Sequence, residues 1–320
     1  MKYTVLGAGA MGSAVASRLL ANGHEVCLWF TEKDEWLLPE VTATKKHPVS
    51  GADLAGACVF THLELAKALE PAEALLMACS SDGLLEIMSR IDRSGMDRRL
   101  PVVSVTKGFI ETEGRVATVS LALRHAEFAL LGGPMIASEI AAGKGAGGVV
   151  ASESNGAFAA ARGLRSGSLA LRETDDVRGV ELCAALKNVY AILVGVAETQ
   201  GANLRSLAFA RSLEEMAAVV ARSGGRADTV LGPAGAGDLY VTSISGRNGE
   251  FGRRVGGGED PQVALSEMER VGKTVEGVRA STLGKRYIVD EGGLDAPLLE
   301  AVAELCAGRL TNSKALAALT

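Results

Sequence analysis

In the first half of the chain, short apolar runs alternate with longer stretches whose apolar residues return every three to four positions. The runs at 3–6, 25–30, 57–61, 74–78, 101–105, 128–131 and 147–151 have the length and composition of strands. Between them, 13–21, 63–69, 84–91, 116–123 and 136–142 carry helical spacing. Strands with helix-sized segments between most of them predict an α/β domain built on a doubly wound parallel sheet with right-handed crossovers. Past about Asp175 the strand signal fades, and 180–196, 204–223, 261–268, 275–291 and 297–307 read as helices, giving an all-α C-terminal part. The polar stretch TDDVRG, 174–179, separates the two regimes, so two domains are expected, 1–178 and 179–320.

The helix at 180–196 stands out. It is almost continuously apolar, which predicts burial on all sides, yet Lys187 and Asn188 lie at its middle. An ammonium group left there is costly unless it is paired or gives up its proton. Both outcomes are open at this point: an ion pair that helps to pack the helix, or a lysine that exchanges a proton in a reaction.

Composition narrows the possibilities. The 320 residues are 48% hydrophobic and 22% charged, ordinary for a globular chain large enough for two cores. A net charge of -5 without any Lys/Arg block argues against nucleic acid as a partner. The apolar runs are interrupted before they reach spanning length, so no membrane span is expected. Met1 and Lys2 lead straight into a strand, which leaves no room for a signal peptide and makes a cytoplasmic protein the expectation. Cys27, Cys58, Cys79, Cys183 and Cys306 are scattered, with no metal-ligand spacing, and read as small buried hydrophobes in a reducing compartment. The four histidines form no convincing metal cluster either, so no metal is expected.

Gly7, Gly9 and Gly12 form G-x-G-x-x-G between the first strand and the first helix, with Glu32 20 residues beyond Gly12 after the second strand. In that context the motif predicts a Rossmann-type dinucleotide site. Gly7 makes the tight turn, Gly9 admits the pyrophosphate, Gly12 allows the helix to touch the strand, and the helix N-terminus faces the anion. Glu32 would accept hydrogen bonds from the adenosine ribose and favour NAD over NADP, although Lys33 beside it blurs that choice. Further candidates follow. Lys107 in SVTKGF sits at the C-terminal end of a predicted strand, the edge where open α/β sheets bind ligands. GGPMIASEIAAG at 132–143 is a loop feeding a helix, whose amides could meet either cofactor or substrate. Asp238 follows a glycine-rich turn, and Arg247-Asn248 occupy a second polar loop suited to a phosphate or carboxylate.

Taken in order, VLGAGAMGSAVA, TKGF, GGPMIASEIAAG, ALKNVYAI, GAGDLYVTS, GRN and TVEGVR resemble the NAD(P)-dependent glycerol-3-phosphate dehydrogenases over essentially the whole chain. The resemblance implies hydride transfer between a nicotinamide cofactor and dihydroxyacetone phosphate or sn-glycerol 3-phosphate, with Lys187 as proton donor and acceptor. It implies that Lys107 and Asp238 hold the reacting end and that Arg247 and Asn248 hold the substrate phosphate, with Gly133 and Asn188 beside them. Ala10, Met11, Ala137 and Glu276 would line the cofactor, together with Lys107 and Arg247, and the protein would be a homodimer. Three positions depart from the family pattern: Met135 replaces a Ser or Thr after Gly133-Pro134, Gly246 replaces the Ser before Arg-Asn, and Cys79 replaces a Pro after the fourth strand. Two hydroxyls are lost around the substrate, which raises the alternative of a divergent reductase of another phosphorylated or phosphonylated carbonyl compound. A ketopantoate-reductase-like enzyme and a non-catalytic, cofactor-binding redox sensor are the other two readings. The GAGDL and GRN segments weigh against the first, and the joint presence of Lys107, Lys187 and Asp238 against the second.

Overall fold

A computed structural model describes residues 1–97 and 99–320. The chain forms two compact units, Met1–Lys107 with Val119–Val177, and Gly108–Thr118 with Arg178–Thr320.

The first unit is built on an eight-stranded sheet with the strand order β10-β9-β8-β5-β4-β1-β2-β3. Its strands are β1 (Lys2–Leu6), β2 (Glu25–Trp29), β3 (Cys58–Phe60), β4 (Ala74–Met77), β5 (Val102–Ser104), β8 (Phe128–Gly132), β9 (Ala146–Ser152) and β10 (Leu169–Thr174). Strands β4, β5 and β8 are almost continuously apolar because helices cover both faces of the sheet, and their side chains are buried, as are those of β1 after Lys2. The alternation of strand and helix is as expected, with two corrections. Strand β8 pairs antiparallel with β9, so the sheet is not parallel throughout. Strand β10 has no counterpart in the sequence reading, because LALRET buries only alternate residues at an edge and lacks the continuous apolar run of the inner strands.

A hairpin accounts for a third difference. Strands β6 (Ile110–Thr112) and β7 (Arg115–Ala117) pair antiparallel around Glu113 and Gly114, both at positive φ (50° and 75°), as a two-residue hairpin turn requires. The helix expected at 116–123 therefore starts only at Val119. The hairpin belongs to the second unit through its contacts: Arg286 reaches Glu111 at 2.6 Å, Phe109 lies 5.5 Å from Tyr287 between ring centroids, and Arg178 donates to Thr118 at 3.2 Å.

The rest of the second unit is helical, arranged around Val177–Glu198. All residues from Gly179 to Ala197 are buried, polar Glu181, Lys187 and Asn188 included. By length and hydropathy this helix could cross a membrane, but its apolar window is wholly buried within the protein. Glu215 fixes the Pro297–Cys306 helix to it. The carboxylate accepts the amides of Leu298 (2.7 Å) and Leu299 (2.9 Å) and the hydroxyl of Tyr190 (2.9 Å), satisfying donors that a helix start leaves open. Burial pushes its pKa up. The helix expected at 275–291 is regular over Glu276–Gly284 and widens to a π-helical turn over Lys285–Asp290.

The cysteines are less uniform than expected. Cys183 and Cys306 are buried, Cys27 and Cys79 are half-buried, and Cys58 is exposed because β3 is the edge of the sheet.

Candidate functional site

In the first unit, the glycines make one turn. Gly7 has φ +106°, donates to the carbonyl of Trp29 at 3.1 Å, and would place a Cβ 2.8 Å from the Ala78 oxygen. A Cβ on Gly12 would lie 1.9 Å from the Gly7 oxygen, so no other residue lets the helix start this close to the strand. Gly9 precedes the Ala10–Ala21 helix with extended backbone and no side-chain cap, leaving Ala10 and Met11 in an open, positively polarised first turn.

The acid at this turn is Asp34. Its Oδ2 accepts the Ala8 amide at 3.3 Å and the Thr31 hydroxyl at 2.6 Å, whereas Glu32 is exposed in the turn after β2. Counting residues from Gly12 leads to Glu32, but the turn carries the chain two residues further before it returns to the glycine loop. The Thr31-x-x-Asp34 spacing was the available signal. His47 was also missed. Only 1% exposed, it accepts the Ser50 amide on Nδ1 at 3.0 Å, packs beside the Ala8 backbone, and has its pKa lowered chiefly by burial.

At the C-terminal edge of the same sheet, half-buried Lys107 donates to the carbonyl of Gly133 at 3.3 Å. Gly133 has φ +123°, and a Cβ there would meet the Gly148 Cα at 2.8 Å. Ala137 begins the short Ala137–Ala141 helix, which Arg18 ties to the first helix through the Ile140 carbonyl at 2.9 Å. Met135 is 8% exposed and part of the hydrophobic core, so its side chain is spent on packing. The backbone carbonyl of Cys79 accepts the Thr106 hydroxyl at 2.8 Å, joining the ends of β4 and β5, and burial raises its thiol to about 11.

In the second unit, the buried lysine has defined partners. Lys187 donates to Asp238 Oδ1 at 3.0 Å and to Thr242 Oγ1 at 2.9 Å. Asp238 and Thr242 stand four residues apart on the Asp238–Ser245 helix, so one face of it presents both acceptors to the amine. Lysine and aspartate side chains are 10% and 3% exposed, which makes this a desolvated ion pair. Thr242 was not singled out from sequence, although its i+4 spacing from Asp238 was visible.

A second polar chain runs beside it. The Gly277 amide donates to Asn248 Oδ1 at 2.9 Å, Asn248 Nδ2 to Asn188 Oδ1 at 2.9 Å, and Asn188 Nδ2 to Glu276 at 3.3 Å. Asn248 and Asn188 are buried and committed to each other, while Arg247 is exposed as the first residue of the Arg247–Gly256 helix. Glycines bring this helix close: a Cβ on Gly252 would stand 2.2 Å from the Ile192 oxygen. Gly246 is likewise constrained, since a Cβ there would fall 2.3 Å from the Thr242 oxygen. Among the described residues, no group of three or more His, Cys, Asp or Glu side chains is placed to hold a metal.

Residues 2–158 match the model of the NAD-dependent glycerol-3-phosphate dehydrogenase N-terminus, and 176–317 match that of its C-terminus. An NADP(+)-dependent glycerol-3-phosphate dehydrogenase of Archaeoglobus fulgidus is 34% identical, over 94% of either chain. The glycerol-3-phosphate dehydrogenase [NAD(P)+] of Chelativorans is also 34% identical, covering 98% of this chain and 95% of its own. The crystal structure of a glycerol-3-phosphate dehydrogenase from Coxiella burnetii superimposes with a TM-score of 0.88 at 26% identity, covering 99% and 98% of the two chains. A ketopantoate reductase from Ralstonia eutropha shares only the fold, with a TM-score of 0.54 at 18% identity over 92% of this chain. The chain belongs to the NAD-dependent glycerol-3-phosphate dehydrogenase family.

Proposed function

We propose that this enzyme interconverts dihydroxyacetone phosphate and sn-glycerol 3-phosphate, with Lys187 moving the proton. The observation that carries this reading is the buried Lys187, Asp238 and Thr242 set. Reduction of a ketone builds negative charge on its oxygen, so a cationic amine that can give up a proton is suited to the forward direction and its neutral form to the reverse. Asp238 and Thr242 fix the direction of two N–H bonds and keep the amine from wandering in an apolar helix. Lys107 adds positive charge at the end of β5, and Arg247 with the uncapped start of its helix forms an anion clamp for the phosphate. Asn248 supports that clamp through Asn188 and Gly277, and Glu276 supports Asn188 in turn.

The glycine turn fits a dinucleotide, because the space beside Gly7 and Gly12 is closed to any Cβ while the first helical turn remains uncapped. Gly7, Gly9, Ala10, Met11 and Gly12 would hold the pyrophosphate, with Ala137 beside them. The bound nicotinamide supplies the hydride. Asp34, rather than Glu32, would take the ribose hydroxyls, and its carboxylate repels a 2′-phosphate, which favours NAD.

Neither Met135 nor Gly246 calls for another substrate. The first serves the core and the second makes room for the Thr242 carbonyl. A cytoplasmic homodimer completes the proposal. Measuring NADH absorbance with dihydroxyacetone phosphate tests it: turnover is expected. Inactivity there, combined with turnover of another phospho- or phosphono-carbonyl compound, would make the divergent reading correct.

A further inference from the structure

Cys27 and Cys58 are register partners on adjacent parallel strands, β2 and β3. Paired residues in neighbouring strands point to the same face of the sheet. Here Val26, Leu28 and Val59 fill the core on one face, which leaves Cys27 and Cys58 together on the other. Both thiols are free, Cys27 half-buried and Cys58 exposed on the edge strand. Neighbouring strands lie about 4.8 Å apart, within the range of roughly 4.4–6.8 Å that a disulfide spans between Cα atoms. The Cβ atoms of such a pair sit further apart than the ~3.8 Å a relaxed disulfide prefers, so closure pulls the strands on this face together.

We propose that Cys27 and Cys58 form a reversible dithiol–disulfide site that reacts with small-molecule disulfides and weakens cofactor binding when closed. The exposed Cys58 thiolate attacks one sulfur of the small disulfide, forming a mixed disulfide and expelling one thiolate. Cys27, its proton passing to water, then attacks the Cys58 sulfur, forms the Cys27–Cys58 bond and expels the second thiol. Two electrons pass from the protein sulfurs to the small disulfide, which leaves as two thiols. Burial and the neighbouring Cys58 raise the Cys27 thiol, which assigns the first attack to Cys58. The route to the cofactor is short. Cys27 is also in register with Thr4 of β1, the strand that leads into the glycine turn, and β2 leads into the Thr31–Asp34 turn whose carboxylate holds the Ala8 amide. Distorting β2 moves that carboxylate.

The test is incubation of the whole enzyme with oxidised glutathione, followed by non-reducing tryptic mapping and NADH titration by fluorescence. Expected are a disulfide-linked pair of peptides, 19–33 with 47–67, an NADH Kd raised threefold or more, and recovery of both on reduction. Cys27→Ser should stop at a glutathione adduct on Cys58. Cys58→Ser should give no linked peptide and an NADH Kd insensitive to the treatment. A wild-type enzyme that accumulates only the adduct on Cys58 overturns the dithiol site, and a linked peptide with unchanged NADH affinity overturns the coupling. Because NADH is read directly, neither result depends on which carbonyl compound the enzyme reduces.

Discussion

The two units build their candidate sites by opposite means. In the first, glycine removes side chains so that the first helix can start against the strand it follows, and the decisive dimensions are absences: no Cβ at Gly7 or Gly12 and no cap at Gly9. In the second, long polar side chains are carried into a dry helix and must be paired there, as Lys187 is with Asp238 and Thr242. Substitution should therefore cost cofactor binding at the glycine turn of the first unit and turnover at the buried lysine of the second.

The largest expected effect is in the second unit. Lys187→Ala should lower kcat by about three orders of magnitude, the middle of the range for general acid–base catalysis, with NADH affinity little changed. Retained turnover would remove the lysine from the chemical step and leave an ion pair that only packs the helix. Gly12→Val tests the other side: a folded protein by circular dichroism that no longer binds NADH is expected, because the new side chain collides with the Gly7 carbonyl. Normal NADH binding would mean the turn is not the cofactor site. Arg247→Ala should raise KM for the phosphorylated substrate by about 10- to 100-fold, the worth of a charge-assisted hydrogen bond, with less change in kcat. An unchanged KM would place the phosphate elsewhere.

Smaller effects sharpen the contrast. Asp34→Asn should shift the NADPH-to-NADH affinity ratio by about tenfold towards NADPH, as loss of one charge repulsion predicts, while Glu32→Gln leaves it unchanged. The reverse result would restore Glu32 as the ribose acid. The smallest effect lies in stability against pH, where the units should respond with opposite sign. Burial lowers the His47 pKa below 6.5, so the unfolded chain binds a proton that the folded one refuses, and stability is lost as pH falls through 6.5 towards the folded value. The Glu215 pKa is raised above 4.5, so its contribution is full below 4.5 and is lost as pH rises through the folded value. Urea denaturation across this range should show a flatter acid limb for His47→Gln and a shallower decline above 4.5 for Glu215→Gln. Unaltered slopes would show that other groups dominate.

The sequence made the glycine turn readable because its requirement is local: backbone conformation and contact with the next strand determine residue type at each position. Lys187 was readable for a related reason, a charge inside an apolar period. Its partners were harder to find, since nothing in the central helix says which of the later acids returns to it. Only the repeat of Asp238 and Thr242 at helical spacing narrows that choice. Asp34 and His47 were hard to read because each depends on where a loop returns, which residue counting does not describe; the Thr31-x-x-Asp34 spacing hints at the first and nothing comparable marks the second. The β6–β7 hairpin escaped for lack of length, its three-residue strands being indistinguishable from turns, and β10 escaped because an edge strand that buries alternate residues lacks the continuous apolar run of the inner strands. At Met135 the motif reveals only a lost hydroxyl, and the structure adds that the side chain standing there packs in the core.

The placement of the hairpin bears on how the protein can be divided. Because residues 108–118 belong to the second unit while 119–177 return to the first, the backbone changes unit three times, after Lys107, Thr118 and Val177. A single proteolytic cut cannot release either unit intact. Cleavage at the last junction alone would leave the strands of the hairpin on one fragment and Arg178, Arg286 and Tyr287 on the other, so the two pieces would remain associated or the second would lose part of its packing. The halves of this enzyme are thus not interchangeable modules joined by a linker, and an exchange of cofactor domains between relatives would have to carry the hairpin with the helices.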